Sequence, residues 1–118
     1  MNRNAIREGR CDIIQGDVST LPFQKETFDL VTAFETVYFW LDLKTTFKGI
    51  HLVLKEGGVF FICNESDGHD PKAAKFSKII EGMNLYDAEK LTSLLTKAGF
   101  HDIQTDTKNI WLCVKAVK

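Results

Sequence analysis

Apolar residues along this chain of 118 amino acids fall into short continuous runs, separated by stretches in which they recur at helical spacing. Cys11 to Gln15, Phe28 to Phe34 and Val59 to Cys63 read as strands. The last two are almost wholly apolar, which suits a sheet covered on both faces. Between them, Leu43, Phe47, Ile50 and Leu54 make one buried stripe. They predict a helix over Leu43 to Lys55, capped by Asp42 and stopped by Gly57-Gly58. Strand, helix and strand in that order form a βαβ unit with parallel strands. A second helix is expected over Pro71 to Glu81, between the cap Asp70 and Gly82, with Lys72, Lys75 and Lys78 on a solvated face. A third runs over Ala88 to Ala98, with Asp87 as cap, Tyr86 packing on Leu91 as a staple, and Gly99 closing it. The final runs, His101 to Asp106 and Ile110 to Val117, are joined by a short turn and predict an antiparallel hairpin. The class is α/β, a mainly parallel sheet that ends in an antiparallel pair.

Composition narrows what such a sheet does. The chain is 44% hydrophobic and 26% charged, a balance that supports a core. Fifteen basic residues against sixteen acidic ones leave a net charge of −1, without the basic excess of a nucleic-acid or membrane-surface binder. No apolar run is long enough to span a bilayer, and the polar stretch Met1 to Arg10 is no secretory signal, so a cytoplasmic location is expected. Cys11, Cys63 and Cys113 are odd in number and show no CxxC spacing; they read as thiols buried in a reducing compartment. His51, His69 and His101 have no ligand spacing, so no metal site is expected. The phosphate loop, the dinucleotide fingerprint GxGxxG and the GxSxG elbow are all missing from the sequence.

Several short motifs stand in a telling order. Ile14-Gln15-Gly16-Asp17-Val18 is followed by Leu21-Pro22-Phe23 and then Phe28-Asp29-Leu30-Val31. Val53-Leu54-Lys55-Glu56-Gly57-Gly58 and Ala98-Gly99-Phe100 come later, before the terminal hairpin. Together they resemble the class I S-adenosylmethionine-dependent methyltransferases of the small-molecule branch. The resemblance implies a three-layer Rossmann-like methyltransferase sheet, truncated to about five strands with a terminal antiparallel hairpin. Residues 1–118 are then the carboxyl-terminal part of a single methyltransferase domain. The family's opening strand, its glycine-rich loop and the acidic residue that grips the cofactor ribose have no counterpart in this sequence. The resemblance names S-adenosylmethionine as cofactor and a small molecule as methyl acceptor. Without the glycine-rich loop, this chain is expected to be inactive alone and to bind cofactor no tighter than the millimolar range.

The same resemblance assigns candidate roles. Asp17 would accept the adenine amino group and the Val18 N–H would contact the ring; a turn carboxylate bonding its own loop is the plainer reading. Backbone at Ala33 and Phe34 would pass the cofactor. Glu35 would face the substrate as a base or as a partner for an amine, and its plain reading is a surface acid. Tyr38, Phe39 and Trp40 are consecutive aromatics that no regular element can turn toward one core, so at least one should be exposed or line a pocket. A substrate wall and ordinary packing are both open for them. No catalytic residue can be assigned, because a sulfonium methyl is already activated and its transfer relies on alignment.

Two further readings differ in class. In one, the chain is a non-catalytic remnant that assembles with itself. In the family the strand Phe28 to Phe34 pairs with a preceding strand that this sequence lacks, so its open edge invites a homodimer or a domain-swapped assembly. In the other, the chain belongs to a nicotinamide-dependent oxidoreductase, which shares the strand–helix alternation but not the terminal hairpin.

Overall fold

The computed structural model describes residues 2–118. Nine elements follow one another: α1 (Arg3–Arg7), β1 (Phe28–Phe34), a 3-10 turn (Val37–Phe39), α2 (Leu43–Val53), β2 (Leu54–Asn64), α3 (Pro71–Ile79), α4 (Ala88–Lys97), β3 (His101–Lys108) and β4 (Trp111–Val117). The four strands form one sheet in the order β1-β2-β4-β3. β1 and β2 run parallel, while β4 is antiparallel to both β2 and β3. The expected α/β sheet with a terminal hairpin is present, with Asn109 in the left-handed region where the hairpin turns.

The core lies between the sheet and two helices. From the sheet come Ala33, Phe60, Ile62, Leu112, Val114 and Ala116; from α2 and α4 come Phe47, Ile50, Leu91 and Leu95. Phe60 is fully buried at the centre of an aromatic cluster with Phe47, Phe100 and Trp40, at ring-centroid distances of 5.5, 5.9 and 6.4 Å. The three predicted caps all form, Asp42 accepting from Thr45 N–H, Asp70 from Ala73 N–H and Asp87 from Lys90 N–H. Tyr86 packs on the core cluster that contains Leu91, as a staple should.

The structure corrects three sequence expectations and adds one element. Cys11–Gln15 is not a strand, which leaves four strands in the sheet. A strand needs a neighbour for its backbone groups, and this segment has none; Ile13 and Ile14 are exposed. β1 is not covered on both faces: Val31 and Ala33 turn toward the core, while Leu30 and Phe34 are 56% and 57% exposed. α2 ends at Val53, before the glycines, because long-range bonds replace a local cap. The carbonyls of Leu52 and Val53 accept the N–H groups of Glu26 and Thr27, and the Leu54 carbonyl accepts from Lys118 Nζ. Gly57, at φ +77°, instead sits inside β2, where the step from Leu54 to Val59 faces the step from Phe28 to Leu30. Finally, Arg3–Arg7 forms a short exposed helix that the sequence pattern did not suggest.

Candidate functional site

The carboxyl ends of β1 and β2 lie side by side, since Phe34 is the register partner of Cys63. Open α/β sheets bind ligands beyond that edge. The chain leaves β1 through Glu35, which holds a left-handed backbone at φ +57°. Its N–H donates to the Cys63 carbonyl at 2.9 Å. Its carboxylate Oε1 accepts the Tyr38 hydroxyl at 3.0 Å and also the Glu65 N–H. A residue anchored at three points, twice through its carboxylate and once through its backbone N–H, accounts for a conformation that an ordinary side chain avoids.

These residues rim a cavity of about 250 Å³. Glu35, Glu65 and Asp70 bring carboxylates to it, Tyr38, Phe76 and Met83 bring apolar surface, and Lys72 is its basic residue. Asp70 is buried and accepts from the Ser66 hydroxyl at 2.5 Å and from Ala73 N–H at 2.9 Å. The Ser66 bond, backed by the Ala73 N–H, holds the Asp70 carboxyl below the usual aspartate range. Asp70 therefore stays an anion and fixes α3 against the cavity wall. The chemistry on offer is anionic and partly apolar, suited to orienting a polar or amine-bearing small molecule. Among the described residues no group of three or more His, Cys, Asp or Glu side chains could hold a metal ion.

Burial pushes the Tyr38 phenol well above its ordinary value, and its bond to Glu35 and the charges of Glu35, Asp70 and Glu65 push it further. Burial also raises Tyr86, the second of the two tyrosines. A raised folded value keeps both protonated where an unfolded chain, at about 10, releases its protons. Their contribution to stability is complete below about pH 10 and is lost as pH rises through the folded values. Ultraviolet titration should show neither tyrosine ionising at the ordinary midpoint. Glu35→Gln should lower the Tyr38 midpoint but leave it raised, since burial is the larger cause. An unchanged midpoint in that variant would mean that the Tyr38–Glu35 bond is not made in solution.

The three aromatics separate as their spacing required. Tyr38 is buried and lines the cavity, and Phe39 is 49% exposed. Trp40 stacks on Phe60 with an interplanar angle of 3°, so it belongs to the packing. Ala33 is buried and Phe34 exposed at the end of β1. Asp17 and Val18 lie elsewhere, in a loop, and not at the end of a strand. With Ile14, Gly16, Leu21, Pro22 and Phe23 they line a second cavity of about 210 Å³, which shares no lining residue with the first. Asp17 Oδ1 accepts from the Ser19 hydroxyl at 2.6 Å and the Ser19 N–H at 2.8 Å, and these bonds lower its pKa. No motif in the sequence marks Glu65, Ser66 and Asp70 as site residues. Their signal was positional: the polar stretch Asn64 to Asp70 directly follows an apolar strand, at the edge where ligands bind.

A parallel pair followed by an antiparallel hairpin, with acidic and aromatic residues at the carboxyl edge, is the sheet of a Rossmann-like methyltransferase. Residues 1–62 match the family model described as a methyltransferase domain, and the chain belongs to that family. It is 32% identical over 87 residues to cycloartenol-C-24-methyltransferase 1 of Oryza sativa subsp. japonica, covering 72% of this chain and 25% of the relative. It is 32% identical over 110 residues to erythromycin 3''-O-methyltransferase of Saccharopolyspora erythraea, covering 82% of this chain and 36% of the relative. Its fold is similar to a SAM-dependent methyltransferase from Thermotoga maritima, with a TM-score of 0.79 at 20% identity over 98% of this chain and 69% of that one. The chain thus spans between 25% and 36% of the length of these two curated relatives. Among the described residues no helix is long and apolar enough to cross a membrane.

Proposed function

We propose that this chain is the carboxyl-terminal part, residues 1–118, of a single S-adenosylmethionine-dependent methyltransferase domain that takes a small-molecule acceptor. The observation that carries the reading is the cavity at the β1–β2 edge, where Glu35 is fixed by Tyr38 and the Glu65 N–H in a chain of this family. Two of its relatives are named for erythromycin and cycloartenol, which supports an acceptor of small-molecule size. Glu35, Tyr38 and Phe39 would face the acceptor, and Ala33 and Phe34 would flank the cofactor. Trp40 supports that wall from behind. The second cavity fits the adenine end of the cofactor: Ile14, Leu21 and Phe23 offer apolar surface to a flat ring, and the Asp17 carboxylate offers an acceptor to an amino group. When bound, the cofactor supplies an activated methyl group. The chain's own contribution is to align the acceptor and keep it desolvated, an effect worth about 7–11 kcal/mol when geometry is ideal. The odd cysteine count without CxxC spacing supports a cytoplasmic location.

The test is a titration of the isotope-labelled chain with S-adenosylmethionine and S-adenosylhomocysteine. Among the described residues no glycine-rich loop follows a strand, so affinity should be no tighter than about millimolar, some 4 kcal/mol. The amide signals of Asp17 and Val18 should still move at saturating ligand. Their silence, with or without shifts elsewhere, would remove the cofactor role of this loop.

Self-assembly is supported separately by the free edge of β1, where apolar side chains stand exposed on a strand with one paired side. The other edge, β3, reads His-Asp-Ile-Gln-Thr-Asp-Thr-Lys and is protected by its polarity. Light scattering should therefore detect a dimer, and Leu30→Lys with Phe34→Lys should return it to monomer. A native chain that stays monomeric at high concentration would defeat this reading.

A further inference from the structure

Two of the cysteines, far apart in sequence, meet on the sheet. Cys63 on β2 and Cys113 on β4 are register partners in the antiparallel pair. Their sulfurs are 3.0 Å apart, within hydrogen-bond reach, and either can be the donor. Directly opposed residues of antiparallel strands have Cα atoms about 4.5–5.5 Å apart, within the span a disulfide bridges. Both side chains are half-buried and lie on the face of the sheet opposite Phe60, Ile62 and Val114, which point into the core. Neighbours on that outer face include Phe34 and Trp111, both exposed, so a small reagent can reach the pair.

We propose that Cys63 and Cys113 are a redox-active dithiol that closes to an intramolecular disulfide when a low-molecular-weight disulfide such as oxidised glutathione becomes abundant. In a reducing compartment the pair rests as two thiols. Burial and the bond to Cys113 push the Cys63 thiol up to about 11. Either thiol can enter first, and the balance is the same with Cys113 taken as the one that does. Cys113 gives up its proton, and its thiolate attacks one sulfur of the reagent. The reagent's S–S bond breaks, and the first small thiolate leaves and takes up a proton. Cys63 then releases its proton and its sulfur attacks Cys113 Sγ, forming the Cys63–Cys113 bond and expelling the second small thiolate, which is protonated in turn. Two protein thiols and one small disulfide become one protein disulfide and two small thiols. The second step is intramolecular between sulfurs already in contact, so it outruns capture by free thiol.

Closure links residues 50 apart, and so ties the centre of the sheet to its terminal hairpin. It also acts next to the candidate acceptor site, because the Cys63 carbonyl accepts the Glu35 N–H. Cys11 has no such neighbour and lies in an irregular segment. The dithiol does not depend on the methyltransferase reading, and its test measures no methyl transfer.

The experiment treats the reduced, folded chain with excess oxidised glutathione, then traps free thiols with an alkylating reagent and maps the peptides by mass. The expected result is a Cys63–Cys113 linked peptide lighter by about 2 Da, the loss of two hydrogens, with no glutathione retained at either residue. Monomer mobility on a non-reducing gel should be kept in Cys11→Ser, and the oxidised chain should unfold at a higher urea concentration than the reduced one. Cys63→Ala and Cys113→Ala, checked for native circular dichroism, should each keep a lasting glutathione adduct on the remaining partner. Persistent adducts on both cysteines of the native chain, links between two chains through either residue, or two unreacted thiols at saturating reagent would each overturn the proposal. If neither single variant folds, the mapped link in the native chain still decides it.

Discussion

Phe60→Ala should lower the stability of the chain by about 3–5 kcal/mol. Phe60 is fully buried at the middle of β2 and contacts rings from three directions. Trp40 stacks parallel to it, Phe47 meets it edge-on from α2, and Phe100 leans on it from just before β3. Truncation removes the apolar area of the ring and leaves a cavity whose walls sit on three different elements, so no single movement can refill it. Offset and edge-on ring pairs each add about 0.5–1.5 kcal/mol beyond area. Domains of this kind are stable by only about 5–15 kcal/mol, so a large share of the total is at stake. Urea denaturation followed by near-ultraviolet circular dichroism is the check. Phe60→Leu, which keeps most of the volume, should cost less than half as much. A loss below about 1.5 kcal/mol for the alanine variant would mean that the cluster collapses freely.

Gly68→Ala is expected to cost about 3 kcal/mol, from two causes that a comparison can separate. Gly68 has φ +87°, which an alanine tolerates poorly. A Cβ there would also stand 2.7 Å from the Asp87 N and 2.9 Å from its Cα, backbone atoms that cannot swing away. Asp87 caps α4 through Lys90, so the clash pushes on the helix that fills the core with Leu91 and Leu95. Gly82 has nearly the same backbone, φ +80°, but nothing lies within 4 Å of its Cβ direction. Gly82→Ala should therefore show the conformational cost alone, about 1 kcal/mol. Equal losses at the two positions in chemical denaturation would show that the approach of Gly68 to Asp87 carries no weight.

Much of this architecture was legible in the chain. The βαβ unit, the three aspartate caps and the terminal hairpin came from signals confined to a few neighbouring residues. Asp42, Asp70 and Asp87 each sit just before an apolar period and bond to an N–H three residues on, so their role is settled locally. Where structure and sequence pattern differ, the deciding partner is remote in sequence. Gly57-Gly58 is a strong stop signal and predicts a helix to Lys55, whereas the real stop depends on Glu26, Thr27 and Lys118. Cys11–Gln15 has the composition of a strand, but no open strand lies beside it to accept its hydrogen bonds.

The candidate site divides along the same line. Glu35 and Tyr38 are three residues apart, and their bond lies within the reach of local reasoning. Glu65, Ser66 and Asp70 join them only because parallel pairing of β1 with β2 carries both strand ends to one edge. Asp17 and Val18 stand in a separate cavity, although the motif order had grouped them with the residues that follow. The cysteines make the point most plainly: counted along the chain they are three unrelated thiols, while strand register sets two of them sulfur to sulfur.

By itself, then, the sequence determined the class of sheet, the helix starts and the family, since hydrophobic period, caps and short motifs act over a few residues. Tertiary structure alone decided where α2 ends, which face of β1 stays open, which acids share a cavity and which thiols touch. Each of those depends on hydrogen bonds or contacts between residues brought together by strand pairing, and pairing partners are not encoded within any one segment.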